Sequence, residues 1–266
     1  MKLTRYGRRE WLGSLILAVL AILAVCGLAV VFPAMRWSPA IVVSALIFLV
    51  WICIAAFFRD PDRKVPVNLS VVLSPADGTV NDIELIKGET AGSEKLKELF
   101  QGRDMLRIGI FLSVFNVHLN RAPVKMKVAF REYKEGAFHD ARDDRASREN
   151  ESMLVGAEGV CCDDIRFPLA VRQISGAIAR RIVCPVKEGD VFGQGERYGM
   201  IKFGSRTELY LPAGMKFELA VTVGQTVTAG ITPLAHIYPA AVEKIRQTQI
   251  VDAAAASEKE EEMPPV

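Results

Sequence analysis

The sequence predicts a mainly β domain, barrel- or sandwich-like with glycine-turned hairpins, behind an N-terminal transmembrane helical hairpin. Three observations predict it. The chain of 266 residues is 50% hydrophobic yet 24% charged, with a mean hydropathy of +0.22. That mixture fits a membrane segment joined to a globular domain better than either alone. Two long runs without a charged residue stand near the start. From Val65 onward, short alternating segments are separated by Gly, Pro and Asp, the texture of half-buried strands.

The uncharged runs are Trp11 to Met35 and Trp37 to Phe58. Each is long enough to cross a hydrocarbon core, which takes about 20 helical residues. The stretch Pro33 to Pro39, with its lone Arg36, suits a tight turn with Trp37 at headgroup level. The first run is too long for a signal-peptide core and a second follows at once, so no cleavage is expected there. Lys2, Arg5, Arg8 and Arg9 precede the runs, and Arg59, Arg63 and Lys64 follow them. By the positive-inside rule both ends face the cytoplasm, which puts the globular domain on the cytoplasmic side of the inner membrane. The expected division is a basic N-terminus over 1–10, two spanning helices over 11–58 and a globular domain over 59–252. An acidic tail over 253–266 is expected to be disordered.

Within the globular part, Arg107 to Leu112, Met200 to Phe203 and Glu208 to Leu211 alternate as strands do. Gly92 to Gln101 is a charged amphipathic stretch and predicts a helix; Phe138 to Glu151 reads as a loop with one helical turn. Val186 to Gly195 and Val221 to Gly230 are weakly alike, each placing Gly where a hairpin would turn. They suggest paired hairpins in a small barrel or sandwich.

Several classes are excluded. The five cysteines are odd in number and include no C-x-x-C, so neither a disulfide framework nor a zinc site is expected, and the compartment reads as reducing. His118, His139 and His236 are far apart, and no metal or diffusible cofactor is expected. A net charge of +2 without a basic stripe does not indicate a nucleic-acid partner.

Three local features could carry chemistry: Ser74-Pro75-Ala76-Asp77-Gly78, Phe115-Asn116-Val117-His118-Leu119-Asn120-Arg121, and Lys202-Phe203-Gly204-Ser205-Arg206. Singly they read as a turn, a structural histidine and a bulge. Asp77, His118 and Ser205 supply the parts of a Ser-His-Asp arrangement, although any chain of this size could do so by chance.

Their combination resembles the phosphatidylserine decarboxylase family. Further matching residues are Phe57-Phe58-Arg59-Asp60-Pro61, Asn150-Glu151, Gln173-Ile174-Ser175-Gly176 with Ala179-Arg180-Arg181-Ile182-Val183, Gly199-Met200-Ile201, and Val223-Gly224-Gln225. The resemblance runs from Phe57 to Ile237 and is nearest the short, membrane-anchored prokaryotic branch. It implies that Ser205 attacks the carbonyl of Gly204, leaving chains of 204 and 62 residues as a heterodimer or a higher oligomer of it. It implies that Ser205 becomes a pyruvoyl group, the cofactor, which forms a Schiff base with phosphatidylserine in the bilayer and yields phosphatidylethanolamine. His118, oriented by Asp77, would be the base for Ser205 and then the proton donor. Arg121 and Arg206 are candidates for the headgroup phosphate. The long branch has two histidines in the matching segment where this chain has His118 and then Arg121, so here the two roles fall to one histidine or one passes to another group.

Two other readings compete. A biotin- or lipoyl-like carrier would use Lys216 in Ala213-Gly214-Met215-Lys216-Phe217. A membrane-anchored serine hydrolase would use Ser205 on an external substrate, although the Gly-x-Ser-x-Gly elbow is missing around it.

Overall fold

The computed structural model describes the chain except residues 32–36, 67, 144, 162–164, 178–180, 203–204, 216 and 238–266. The acidic tail and residues 33–36 of the expected turn therefore lie outside the described residues, whereas Trp37 to Pro39, expected in that turn, already form the first turn of a helix. The chain divides into two units: Met1–Asp62 with Val114–His118, and Arg63–Ser113 with Leu119–Val266.

The first unit is a helical pair, α1 (Arg8–Val31) and α2 (Trp37–Phe57). Its apolar residues are spread around both helices and not gathered on one face. Such helices are either buried in a large core or placed in lipid. Here Leu17, Leu20, Leu23, Val42 and Leu49 are all more than half exposed, and both helices are long and apolar enough to cross a membrane. The chain ends of the pair are tied together. Thr4 N–H donates to the Phe58 carbonyl at 2.9 Å and Asp60 N–H to that of Lys2 at 2.8 Å. Gly7 permits the approach, since a Cβ there would stand 2.0 Å from the Phe58 ring.

The second unit is built from β1 (Val71–Leu73), β2 (Gly78–Ile86), β3 (Met105–Leu112), β4 (Leu119–Arg121), β5 (Lys125–Lys134), β6 (Ser152–Val160), β7 (Arg166–Ser175), β8 (Arg181–Val183), β9 (Val191–Phe192), β10 (Arg197–Lys202), β11 (Ser205–Pro212), β12 (Phe217–Leu219), β13 (Thr226–Val227) and β14 (Pro233–Ile237). Short helices α3 (Glu94–Leu99) and α4 (Ala146–Glu149) interrupt them. The helix expected over Gly92 to Gln101 is α3, capped by the Ser93 side chain on Leu96 N–H at 3.2 Å. The single turn expected within Phe138 to Glu151 is α4. An eight-stranded sheet has the order β13-β2-β3-β11-β7-β6-β5-β9, and two three-stranded sheets are β1-β14-β12 and β4-β10-β8. The main core lies on the face of the large sheet that carries Ile108, Ile110, Val155, Leu169, Val171 and Leu209, which pack with Val72, Tyr198 and Leu234 of the small sheets. This is a layered, sandwich-like arrangement, with no closed barrel among the described residues.

The topology is internally duplicated. From the centre outward, the large sheet reads β11-β3-β2-β13 on one side and β7-β6-β5-β9 on the other. Strands β1–β3 with β11–β14 thus correspond to β4–β6 with β7–β10. The hydrogen bonds repeat as well. Gly224 N–H donates to Val80 O at 2.8 Å and Val80 N–H to Gln225 O at 2.9 Å; Gly189 N–H donates to Val128 O at 2.9 Å and Val128 N–H to Asp190 O at 2.8 Å. Where the halves meet, Leu73 N–H donates to Pro123 O and Arg121 N–H to Pro75 O, both at 2.9 Å. The two alike segments in the sequence are the corresponding sheet edges of the two halves. Gly189 and Gly224 turn them with φ of +86° and +90°, values that side chains with a Cβ avoid.

Alternate residues of β11 face opposite sides of the sheet. Thr207 and Leu209 face the core, while Arg206, Glu208 and Tyr210 form a buried ionic network on the far face. Arg206 Nε donates to Glu208 Oε1 at 2.9 Å and its Nη2 to Asp82 Oδ2 at 2.6 Å. Tyr210 OH donates to Glu208 Oε2 at 2.6 Å, and Ser147 Oγ donates to Glu208 Oε1. Burial pushes the Glu208 carboxyl up, but the fields of Arg206, Arg172 and Arg107 outweigh it, so the net shift is below the ordinary 4.5.

Gly189→Ala and Gly224→Ala each cost about 1 kcal/mol, and by equal amounts, because nothing lies within 4 Å of either added Cβ and only the dihedral is penalised; chemical denaturation of the solubilised protein measures both. Arg206→Ala costs about 3 kcal/mol, because it removes the guanidinium hydrogen-bonded to both Glu208 and Asp82 and leaves Glu208 with the more distant Arg107 and Arg172. The stability Glu208 contributes is complete above its unfolded value and is lost as pH falls through the lower folded one. The acid limb of the stability profile should therefore weaken in Glu208→Gln.

Candidate active site

Ser205 opens β11 and is paired on both sides, with Leu112 of β3 and Ser175 of β7. Phe203 and Gly204, on which the expected cleavage falls, lie outside the described residues, as do Lys216 of the carrier reading and Cys162. The Ser205 side chain is fully buried, and its Oγ has no hydrogen-bond partner among the described residues. A buried hydroxyl left without a partner is costly, so its presence at this place needs a reason.

The end of the core face around Ser205 is polar where the rest is apolar. Ser205, Thr207, Gln173, Ser175 and Asn120 are all fully buried. Asn120 is their junction. Its Nδ2 donates to Thr207 Oγ1 at 3.0 Å and to Pro75 O at 3.4 Å, and its Oδ1 accepts from Gln173 Nε2 at 2.8 Å. One side chain thereby joins the Ser74–Gly78 loop, β4, β7 and β11. Asn150 ties in the preceding segment, its Nδ2 donating to Ser175 O at 2.8 Å and to His139 O at 2.9 Å.

Asp77 lies in the turn before β2 and is buried. Arg63 grips both its oxygens, at 2.6 and 2.7 Å, and Ala229 N–H donates to Oδ1 at 2.8 Å. A carboxylate has about four acceptor positions, so this pairing leaves capacity for a further donor. The sequence had offered Arg63 only as a topology-setting charge, and Asn120 only as part of a run.

His118 belongs to the first unit. It is fully buried, its ring lies 4.4 Å from that of Phe57, and its Nδ1 is 3.0 Å from the Asn116 carbonyl. Because a carbonyl only accepts, Nδ1 carries the proton of that bond, and Nε2 is the basic nitrogen of the neutral ring.

The two candidate phosphate ligands are not brought together. Arg121 Nη1 donates to Gly195 O at 2.9 Å and the residue is buried. Arg206, adjacent to Ser205 in sequence, is on the other face of the sheet in the Glu208 network. There, with Arg107 and Arg172, it lines a cavity of about 800 Å³ that does not include Ser205. Among the described residues no cluster of His, Cys, Asp or Glu could hold a metal ion. Cys184 is a buried thiol, which desolvation pushes up to about 11 against the opposing Val186 backbone hydrogen bond and Arg131; it is not a nucleophile at neutral pH. His139 meets Glu149 at 2.9 Å at the surface, and His236 is a strand residue of β14.

Comparison with known proteins accounts for this arrangement of motifs. The family model for phosphatidylserine decarboxylase matches residues 51–235. A phosphatidylserine decarboxylase proenzyme of Trichlorobacter lovleyi is 42% identical over 201 residues, 75% of this chain and 84% of the relative. The proenzyme of Solidesulfovibrio magneticus is 43% identical over 220 residues, 81% and 92% of the two chains. That of Geobacter sulfurreducens is 41% identical over 216 residues, 80% and 91%. Matched over most of its length by both the family model and these relatives, the chain belongs to the phosphatidylserine decarboxylase family of carboxy-lyases.

Proposed function

We propose that this chain decarboxylates phosphatidylserine to phosphatidylethanolamine, using a pyruvoyl group made from its own Ser205 after cleavage of the Gly204–Ser205 bond. The observation that carries the reading is the buried Ser205 hydroxyl, unpartnered among the described residues, at the start of a strand held on both edges. The proenzyme names of the relatives support processing into two chains.

The chain's own groups perform the first step. Ser205 Oγ adds to the Gly204 carbonyl carbon as His118 Nε2 takes its proton. The C–N bond breaks, the proton goes to the released Ser205 nitrogen, and an ester replaces the peptide. Loss of the Ser205 Cα proton then expels the Gly204 carboxylate. Water hydrolyses the resulting enamine, through its imine form, releasing ammonia and leaving the ketone. Gly204 favours attack because it has no Cβ. The Asn116 carbonyl sets the His118 tautomer, and Asp77 supplies negative charge for the imidazolium.

A pyruvoyl group supplies a carbonyl that condenses with an amine and takes up the electrons left by carbon dioxide. Ser205 fits it, because a buried site surrounded by Thr207, Gln173, Ser175 and Asn120 excludes bulk water while offering fixed dipoles. His118 is the proposed donor of the proton that replaces the carboxylate. α1 and α2 are proposed to cross the inner membrane with both ends cytoplasmic, holding the domain beside its lipid substrate and raising its effective concentration.

Ser205→Ala should abolish both chain cleavage and carbon dioxide release. His118→Ala and Asp77→Asn should slow cleavage by at least about 100-fold, as read by gel electrophoresis after synthesis. Release of carbon dioxide from phosphatidylserine by the Ser205→Ala protein would overturn the reading.

A further inference from the structure

We infer that the loop tip Val114–Phe115 is seated in the lipid interface beside the end of α2, and that this seating holds His118 at headgroup depth. The inference rests on the reading of α1 and α2 as membrane-crossing. Phe115 is 83% exposed and Val114 41%. A single exposed apolar side chain needs no explanation. Two adjacent ones on a turn, attached to the end of an apolar helix, do.

The attachment fixes their depth. Arg59 is the first cation after α2. Its Nη1 donates to the Ala56 carbonyl of the last helical turn at 2.9 Å, and its Nη2 donates to the Phe115 carbonyl. The guanidinium thus bridges helix end and loop tip. The other end of the loop is fixed by the His118 ring against Phe57, the last residue of α2. The point where an apolar helix gives way to arginine is the membrane surface, where aromatic side chains collect. The N-terminal segment is hydrogen-bonded to this same end, and it exposes Arg5, Arg8 and Arg9 beside Lys2, which pairs with Asp62 at 2.9 Å. These residues form a cationic collar, which suits an acidic phospholipid surface. The occupant is the bilayer and not a protein, because Arg59 ties the tip to the end of a helix whose exposed residues, Val42, Leu46 and Leu49 among them, are apolar.

The test uses the full chain in vesicles of phosphatidylserine and phosphatidylcholine. A bimane label on Phe115→Cys, corrected for labelling of the parent protein, should be quenched by lipids brominated high on the acyl chain. The same label on Val191→Cys, an exposed strand residue of the second unit, should not be. In activity, Phe115→Asp should raise the KM for bilayer substrate about tenfold at unchanged kcat, from the lost burial of one aromatic side chain, and Phe115→Leu should restore it. An unquenched label at Phe115→Cys, an unchanged KM or a fall in kcat alone would each overturn the seating. Two results are separable from these. Release of the wild-type chain from membranes by alkaline carbonate would overturn the spanning helices and the seating with them. Quenching in a chain that does not decarboxylate would retain the seating and overturn the proposed function.

Discussion

The structure depends on a strand that is hydrogen-bonded along both edges and uses both of its faces. β11 lies between β3 and β7 at the centre of the large sheet, and its residues from Ser205 to Leu211 are buried. Its backbone has little freedom to shift, so period-2 alternation commits each side chain to one side. Leu209 and Leu211 fill the core, and Ser205 and Thr207 extend that face into a buried polar cluster. Arg206, Glu208 and Tyr210 anchor the opposite face through charge. Ser205, the proposed nucleophile, opens this strand and is held in place by the pairing on both its edges.

The internal duplication explains how the scaffold is made and where the site departs from it. Ser74-Pro75 in one half corresponds to Ala122-Pro123 in the other, as the reciprocal Leu73–Pro123 and Arg121–Pro75 hydrogen bonds show. Three residues into the turn the halves diverge. Asp77 is buried and clasped by Arg63, whereas its counterpart Lys125 is exposed. The repeated backbone supplies the sheet edges, and the unpaired differences carry the proposed chemistry. Asn120 sits at the junction, which is why one buried amide can reach a loop and two strands besides its own.

Much of the fold was legible because it depends on local pattern. The uncharged runs became α1 and α2, and the alternation of Arg107 to Leu112 and Glu208 to Leu211 became β3 and β11. Gly189 and Gly224 marked equivalent turns because only glycine is at ease at their φ. The rest depended on distant partners. Asn120 meets Thr207 across 87 positions and Gln173 across 53, and Arg63 meets Asp77 from a segment whose charges first suggest membrane topology. No local window of sequence contains the Asn120 pairs, and no periodicity links Arg63 to Asp77 across the 14 positions between them. Arg206 is different. Adjacent strand residues face opposite sides, so its separation from Ser205 was readable from the alternation alone.

The most direct test of the central claim is the intact mass of the purified protein under denaturing conditions. The account predicts chains of 204 and 62 residues, the shorter one blocked to amine reagents and carrying a ketone where Ser205 stood. A single chain of 266 residues from material that decarboxylates phosphatidylserine would contradict it.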